Sequence, residues 1–159
     1  MDFYINPNYV SDGLRYLESA PSSTEWTNKQ WGSSGTLIGG TKAGIGTGKS
    51  NTAIIVAWLN DNFETGKAAQ LCDALEVVNN TVTYSDWFLP SKDELNLMYT
   101  NLYVEGVGDF TFEFYWSSSE IDEYAAWVLE FKTFYFESNA SKESSRRVRA
   151  VRSFNNLSV

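Results

Sequence analysis

Histidine is absent from this chain of 159 residues, and cysteine occurs once, at Cys72. Without an imidazole there is no Ser-His-Asp triad, no Cys-His dyad and no histidine-ligated zinc, and a lone thiol closes no intramolecular disulfide. Cys72 falls on the apolar side of a helical pattern, which fits a buried, inert thiol. Basic residues are few: 12 Lys and Arg stand against 20 Asp and Glu, a formal net charge of -8. Such a surface repels phosphate backbones, so nucleic acid is not expected as a partner. The basic cluster that exists, Arg146, Arg147, Arg149 and Arg152, falls partly on opposite faces of a strand and fits ion-pairing groups better than a DNA-binding stripe. Long hydrophobic runs are missing too. No stretch approaches about 18 apolar residues, and the first ten residues show no basic region followed by an apolar run, so neither membrane insertion nor an export signal is expected. A role outside the cell then implies a virion, a longer precursor or another route.

What is present is aromatic. Phe, Trp and Tyr make up 16% of the chain against 20% charged residues, enough core-forming side chains for one domain that folds without staples. Phe3 to Ile5 and Leu14 to Leu17, separated by a turn at Val10 to Gly13, suggest a hairpin. Residues 20–48 are rich in Gly, Ser and Thr but hold Trp26 and Trp31, which suggests an ordered loop pinned by two rings. Thr52, Ile55, Val56 and Leu59 mark one helix, ended by Asp61 and Asn62. Ala68, Leu71, Cys72 and Leu75 mark a second over residues 67–76. Pro90, Ser91 as N-cap and Glu94 as its capping-box partner open a third, with Leu95, Met98 and Leu102 facing the core. After Gly106 the pattern is that of an antiparallel sheet. Ala125, Trp127, Leu129 and Phe131 alternate with Ala126, Val128, Glu130 and Lys132, and residues 133–138 and 147–153 continue as two more strands.

Three motifs carry possible chemistry. The run from Ala43 to Ser50, AGIGTGKS, satisfies a relaxed phosphate-loop pattern, and a phosphate- or nucleotide-binding enzyme using Lys49 and Ser50 is the rival function it suggests. A working phosphate loop also needs a buried strand before it inside a parallel sheet; residues 36–41 are too glycine-rich for one, so a helix-capping turn is the preferred reading. The carboxylates of Glu120, Asp122 and Glu123, with Asp109 and Glu113 nearby, offer calcium ligands or a glycosidase pair, yet no spacing fixes their geometry. Ser117, Ser118 and Ser119 have no histidine base, and their hydroxyls fit backbone hydrogen bonds where a strand leaves the core.

Taken in series, DWFLPSKDEL from Asp86 to Leu95, YWSSSE from Tyr115 to Glu120, Ala126-Trp127 and RVRAVR from Arg147 to Arg152 closely resemble the Lcl C-terminal domain family. Residues 11–21 and 45–52 look like the N-terminal part of the same domain, so the resemblance covers nearly the whole chain; Leu14 stands where the family commonly has tryptophan. The resemblance implies an α+β, C-type-lectin-like fold of the sulfatase-modifying-factor type, with helices packed beside a small twisted antiparallel sheet. Formylglycine-generating enzymes share that fold but use two cysteines, and one cysteine here excludes their reaction. What the resemblance carries over is recognition, as in adhesins and in the variable proteins of diversity-generating retroelements, some of them at phage tail tips.

The segment 121–146 is similar to the region those retroelements diversify. Trp127, Phe131, Lys142, Arg147 and Arg149 fit a framework. Between them lie Ile121, Asp122, Glu123, Tyr124, Val128, Glu130, Lys132, Tyr135, Glu137, Glu143, Ser144 and Arg146, the candidate ligand-binding residues. Alternation directs Val128, Glu130 and Lys132 away from Trp127, Leu129 and Phe131, so one face holds the fold and the other displays side chains. The expected function is a non-catalytic adhesion or host-recognition domain on a cell surface or virion. Its expected partner is a protein or glycan, no cofactor is expected, and calcium and the oligomeric state stay open.

Overall fold

Apolar residues at three- and four-residue steps become helices. In the computed structural model, which describes residues 1–8, 14–132 and 136–155, these are α1 (Gly48–Asp61), α2 (Ala68–Asp73) and α3 (Lys92–Met98). The capping box of α3 forms as the sequence suggests: the Glu94 amide donates to Ser91 Oγ and the Ser91 amide donates back to the Glu94 carboxylate, satisfying two otherwise orphaned donors. The chain then runs on through a π turn over Tyr99–Tyr103, and Leu102 stays buried.

Ten strands among the described residues complete an α+β fold. β1 (Asp2–Ile5) and β2 (Tyr16–Ser19) form the anticipated hairpin, joined by β10 (Val151–Phe154) in a three-stranded sheet; the expected turn at 10–13 lies outside the described residues. β4 (Val77–Asn79) and β5 (Val82–Tyr84) pair as a small ribbon. The main sheet has five strands in the order β3 (Trp26–Lys29), β9 (Arg146–Val148), β6 (Phe114–Glu120), β7 (Ala125–Glu130) and β8 (Phe136–Ser141).

Three features depart from the sequence reading. The loop at 20–48 contains β3, a short strand whose alternation is broken at Asn28 (φ 53°) and which only its partner β9 defines. Residues 147–153 divide between two sheets, because the chain leaves β9 at the buried Arg149 and Ala150 before entering β10. Finally, β9 lies parallel to β6: the connection from β8 must pass β7 and β6 to reach it, so the second half is not a simple meander.

That crossing matters for burial. Both faces of the β6–β7 pair are covered. On one, Trp116, Ala126 and Val128 share a core with Trp31, Ile55 and Leu59; on the other, Tyr115, Leu129 and Phe131 pack with Phe88, Leu95 and Met98. Val128 is only 3% exposed, which corrects its assignment to the displayed face. Trp127 is half-buried rather than locked inside, its ring capped by Lys92 Nζ at 4.0 Å. Alternation separates two faces but does not say that either meets water when a second layer covers each.

Candidate functional site

The glycine loop already holds a carboxyl group, and it is the chain's own. Glu94 is fully buried, and its carboxylate accepts from the Gly46 amide at 2.9 Å and the Ser91 amide at 2.8 Å, with the Gly48 amide adding to them. Gly46 adopts φ 89°, a conformation that suits glycine, and a Cβ on Gly48 would lie 2.1 Å from Glu94 Oε1. Burial pushes the Glu94 carboxyl above its usual range, and these donors oppose the shift. Lys49 and Ser50 point to solvent beyond this nest, and no strand leads directly into the loop, since residues 30–47 contain none. The match to a phosphate loop is therefore a backbone nest closed by a capping-box glutamate.

The three serines fasten the end of β6, as their polarity suggests. Ser117 Oγ donates to the Trp127 carbonyl, Ser118 Oγ accepts from the Asn51 amide group, and Ser119 Oγ donates to the Lys42 carbonyl. Next to them, Glu120 is buried against Lys142 at 2.6 Å, with side-chain exposures of 2% and 1%. Glu120 also accepts from the Ile38 and Gly39 amides, while Lys142 donates to the Thr36 carbonyl. One ion pair thus ties the 36–39 strap to the end of β6 and to the turn that follows β8.

The arginines divide by role. Arg149, 2% exposed, donates to Glu25 and to the carbonyls of Ala20, Gly108 and Asp109. Arg147 bridges Glu25 and Glu113, and Arg152 bridges Asp86 and Glu18. Arg146 forms no ion pair among the described residues; it lies over the Phe114 ring at 5.3 Å, and its buried Nε–H has no acceptor. An unmet buried donor costs about 1–3 kcal/mol. The acids offered as calcium ligands do not converge. Glu120 and Glu113 are ion-paired, Asp122 closes the β6–β7 turn by accepting from the Tyr124 and Ala125 amides, and no metal-binding cluster occurs among the described residues.

The candidate ligand residues do not form one face. Ile121, Asp122, Glu123 and Tyr124 form the turn at one end of the sheet, where the Glu123 carbonyl accepts from the Gly35 amide and Glu143 Oε1 accepts from the Ser34 amide. Ile121 and Tyr124 are exposed there, and so is Leu37, on the strap bonded to Glu120 and Lys142; the sequence reading missed it because a lone leucine in a glycine-rich loop carries no pattern. At the other end, about 20 Å away along a seven-residue strand, Glu130 and Arg146 line a groove of about 240 Å³ with Phe114 and Ser145. Lys132 pairs with Glu130 at 2.6 Å. Glu137 belongs to the other face, bound to Lys92 and Asn96 of α3. Ser144 is half-buried in the crossing segment, and Tyr135 lies outside the described residues.

This arrangement defines a class: an α+β domain whose internal charges are consumed by the framework and whose turn and groove carry the remaining polar and aromatic groups. No protein-family model matches the chain, and no curated protein matches it. Among solved structures, a fimbrial protein from Bacteroides ovatus is similar, with a TM-score of 0.62 over 94% of this chain at 14% identity. The chain spans 38% of that protein's length, and at this identity the likeness is one of fold.

Proposed function

We propose that the chain is a non-catalytic recognition domain with a C-type-lectin-like fold, related to the Lcl C-terminal domain family and working at a cell or virion surface on a protein or glycan ligand. The observation that carries this reading is the Glu120–Lys142 pair, which sits directly beneath the 121–124 turn and fixes it to the strap at 36–39. A turn held by buried charge loses little entropy on docking, so its exposed Ile121 and Tyr124, together with Leu37, suit a binding tip. The fold shared with a fimbrial protein supports a surface setting.

The test is capture on an array of surface glycans and surface proteins by the wild type and by a variant carrying Leu37→Ser, Ile121→Ser and Tyr124→Ala. Captured ligands should be lost with Tm moved by only a few degrees, since exposed substitutions cost about 0.5 kcal/mol or less each. Undiminished capture moves the site elsewhere.

A further inference from the structure

Resting on that recognition reading, we infer that the groove beside Arg146 is a second docking site, and that its occupant is an acidic side chain next to an apolar one in a partner protein. The charges around the groove do not cancel: two cations are left over. Glu130 is matched by Lys132, and Glu25 and Glu113 are matched by Arg147 and Arg149, while Arg146 and Lys29, its register partner on β3, form no ion pair among the described residues. The Arg146 guanidinium lies 5.3 Å from the centre of the Phe114 ring and Nη1 donates to the Ser145 carbonyl, which together hold the fork in place, while its Nε–H lacks an acceptor. A carboxylate supplies what this fork is short of, in bidentate geometry.

The rest of the lining says what accompanies the carboxylate. Phe112 is 60% exposed, and with Phe114 it gives the groove an apolar wall of phenyl rings. Glu113 and Glu130 also line the groove, each already paired to a cation, and the neutral polar side chains are those of Asn28 and Ser145, which leaves few groups free to meet the ring of hydroxyls on a sugar. At about 240 Å³ the recess is smaller than the usual small-molecule pocket and suits one or two side chains. An acidic residue on Arg146 beside an apolar residue on Phe112 fits both halves, and this site lies at the opposite end of the sheet from the 121–124 tip.

The experiment is an NMR titration that follows the Arg146 Nε–Hε signal and the Ser145 and Phe114 amides. The probes are the peptide acetyl-Ala-Glu-Phe-Ala-amide, its Gln analogue and sodium glucuronate, at matched ionic strength. The acidic peptide should shift these signals saturably, and the Gln analogue and glucuronate should bind at least tenfold more weakly. Arg146→Gln should abolish the response, and Phe112→Ser should weaken it severalfold while the remaining spectrum is unchanged. No saturable shift, equal binding of glucuronate, or a response that survives Arg146→Gln overturns the proposal. Loss of array capture in the tip variant with no peptide response here would remove this site and leave the recognition reading standing; the reverse pattern would remove the tip alone.

Discussion

The nest at Gly46 and Gly48 and the groove at Arg146 are both polar recesses, and they differ in what fills them. In the nest, backbone donors meet the carboxylate of Glu94 from the same chain. In the groove, the Arg146 guanidinium is paired with no carboxylate among the described residues, the lining Glu113 and Glu130 being bound to Arg147 and Lys132. A motif that resembles a ligand site is structural when the chain supplies its own counter-group. The groups left unmatched after that internal pairing are the ones available to a partner.

This contrast breaks most visibly where internal pairing is removed. Lys142→Met should cost about 3–5 kcal/mol, because the Glu120 carboxylate stays buried without its cation; urea and thermal melts measure it. A loss below about 1 kcal/mol would mean that the pair is not part of the framework. Gly48→Ala pits two effects against each other. Alanine favours a helix by up to about 1 kcal/mol, but its Cβ would also lie 2.9 Å from the Ser91 nitrogen and 3.0 Å from the Leu89 oxygen, backbone atoms that cannot swing aside. Overpacking should win, with a net loss of about 1–3 kcal/mol. A stabilised variant would mean that the nest is open and free to take an external anion.

The smallest effect concerns pH. Because burial raises the Glu94 carboxyl above its ordinary value of 4.5, the folded state holds this proton more tightly than the unfolded state does. Its contribution is greatest below that value and declines as pH rises through the folded-state pKa. The stability difference between wild type and Glu94→Gln, followed by denaturation from pH 4 upward, should therefore shift against the wild type as pH rises. A shift in its favour would mean that the Gly46, Gly48 and Ser91 donors outweigh burial.

Much of the scaffold was legible in the sequence. Periodicity located three helices, the Ser91–Glu94 box and the first hairpin, because each depends on residues close in the chain. The site was legible only in part. The 121–124 turn was found, yet Val128 was placed in water although Trp31 and Trp116 cover its face. The Arg149–Glu25 pair joins residues 124 positions apart, and local pattern carries no trace of such a partner.

By itself, the sequence determined the α+β character, the positions of the three helices and the chemistries that lack of histidine and of a second cysteine excludes, since these depend on composition and short-range spacing. Only the tertiary structure decided which polar residues are spent and which remain. Glu94, Glu120 and Arg149 became framework and Arg146 did not, because desolvation and long-range pairing depend on which segments the fold lays side by side.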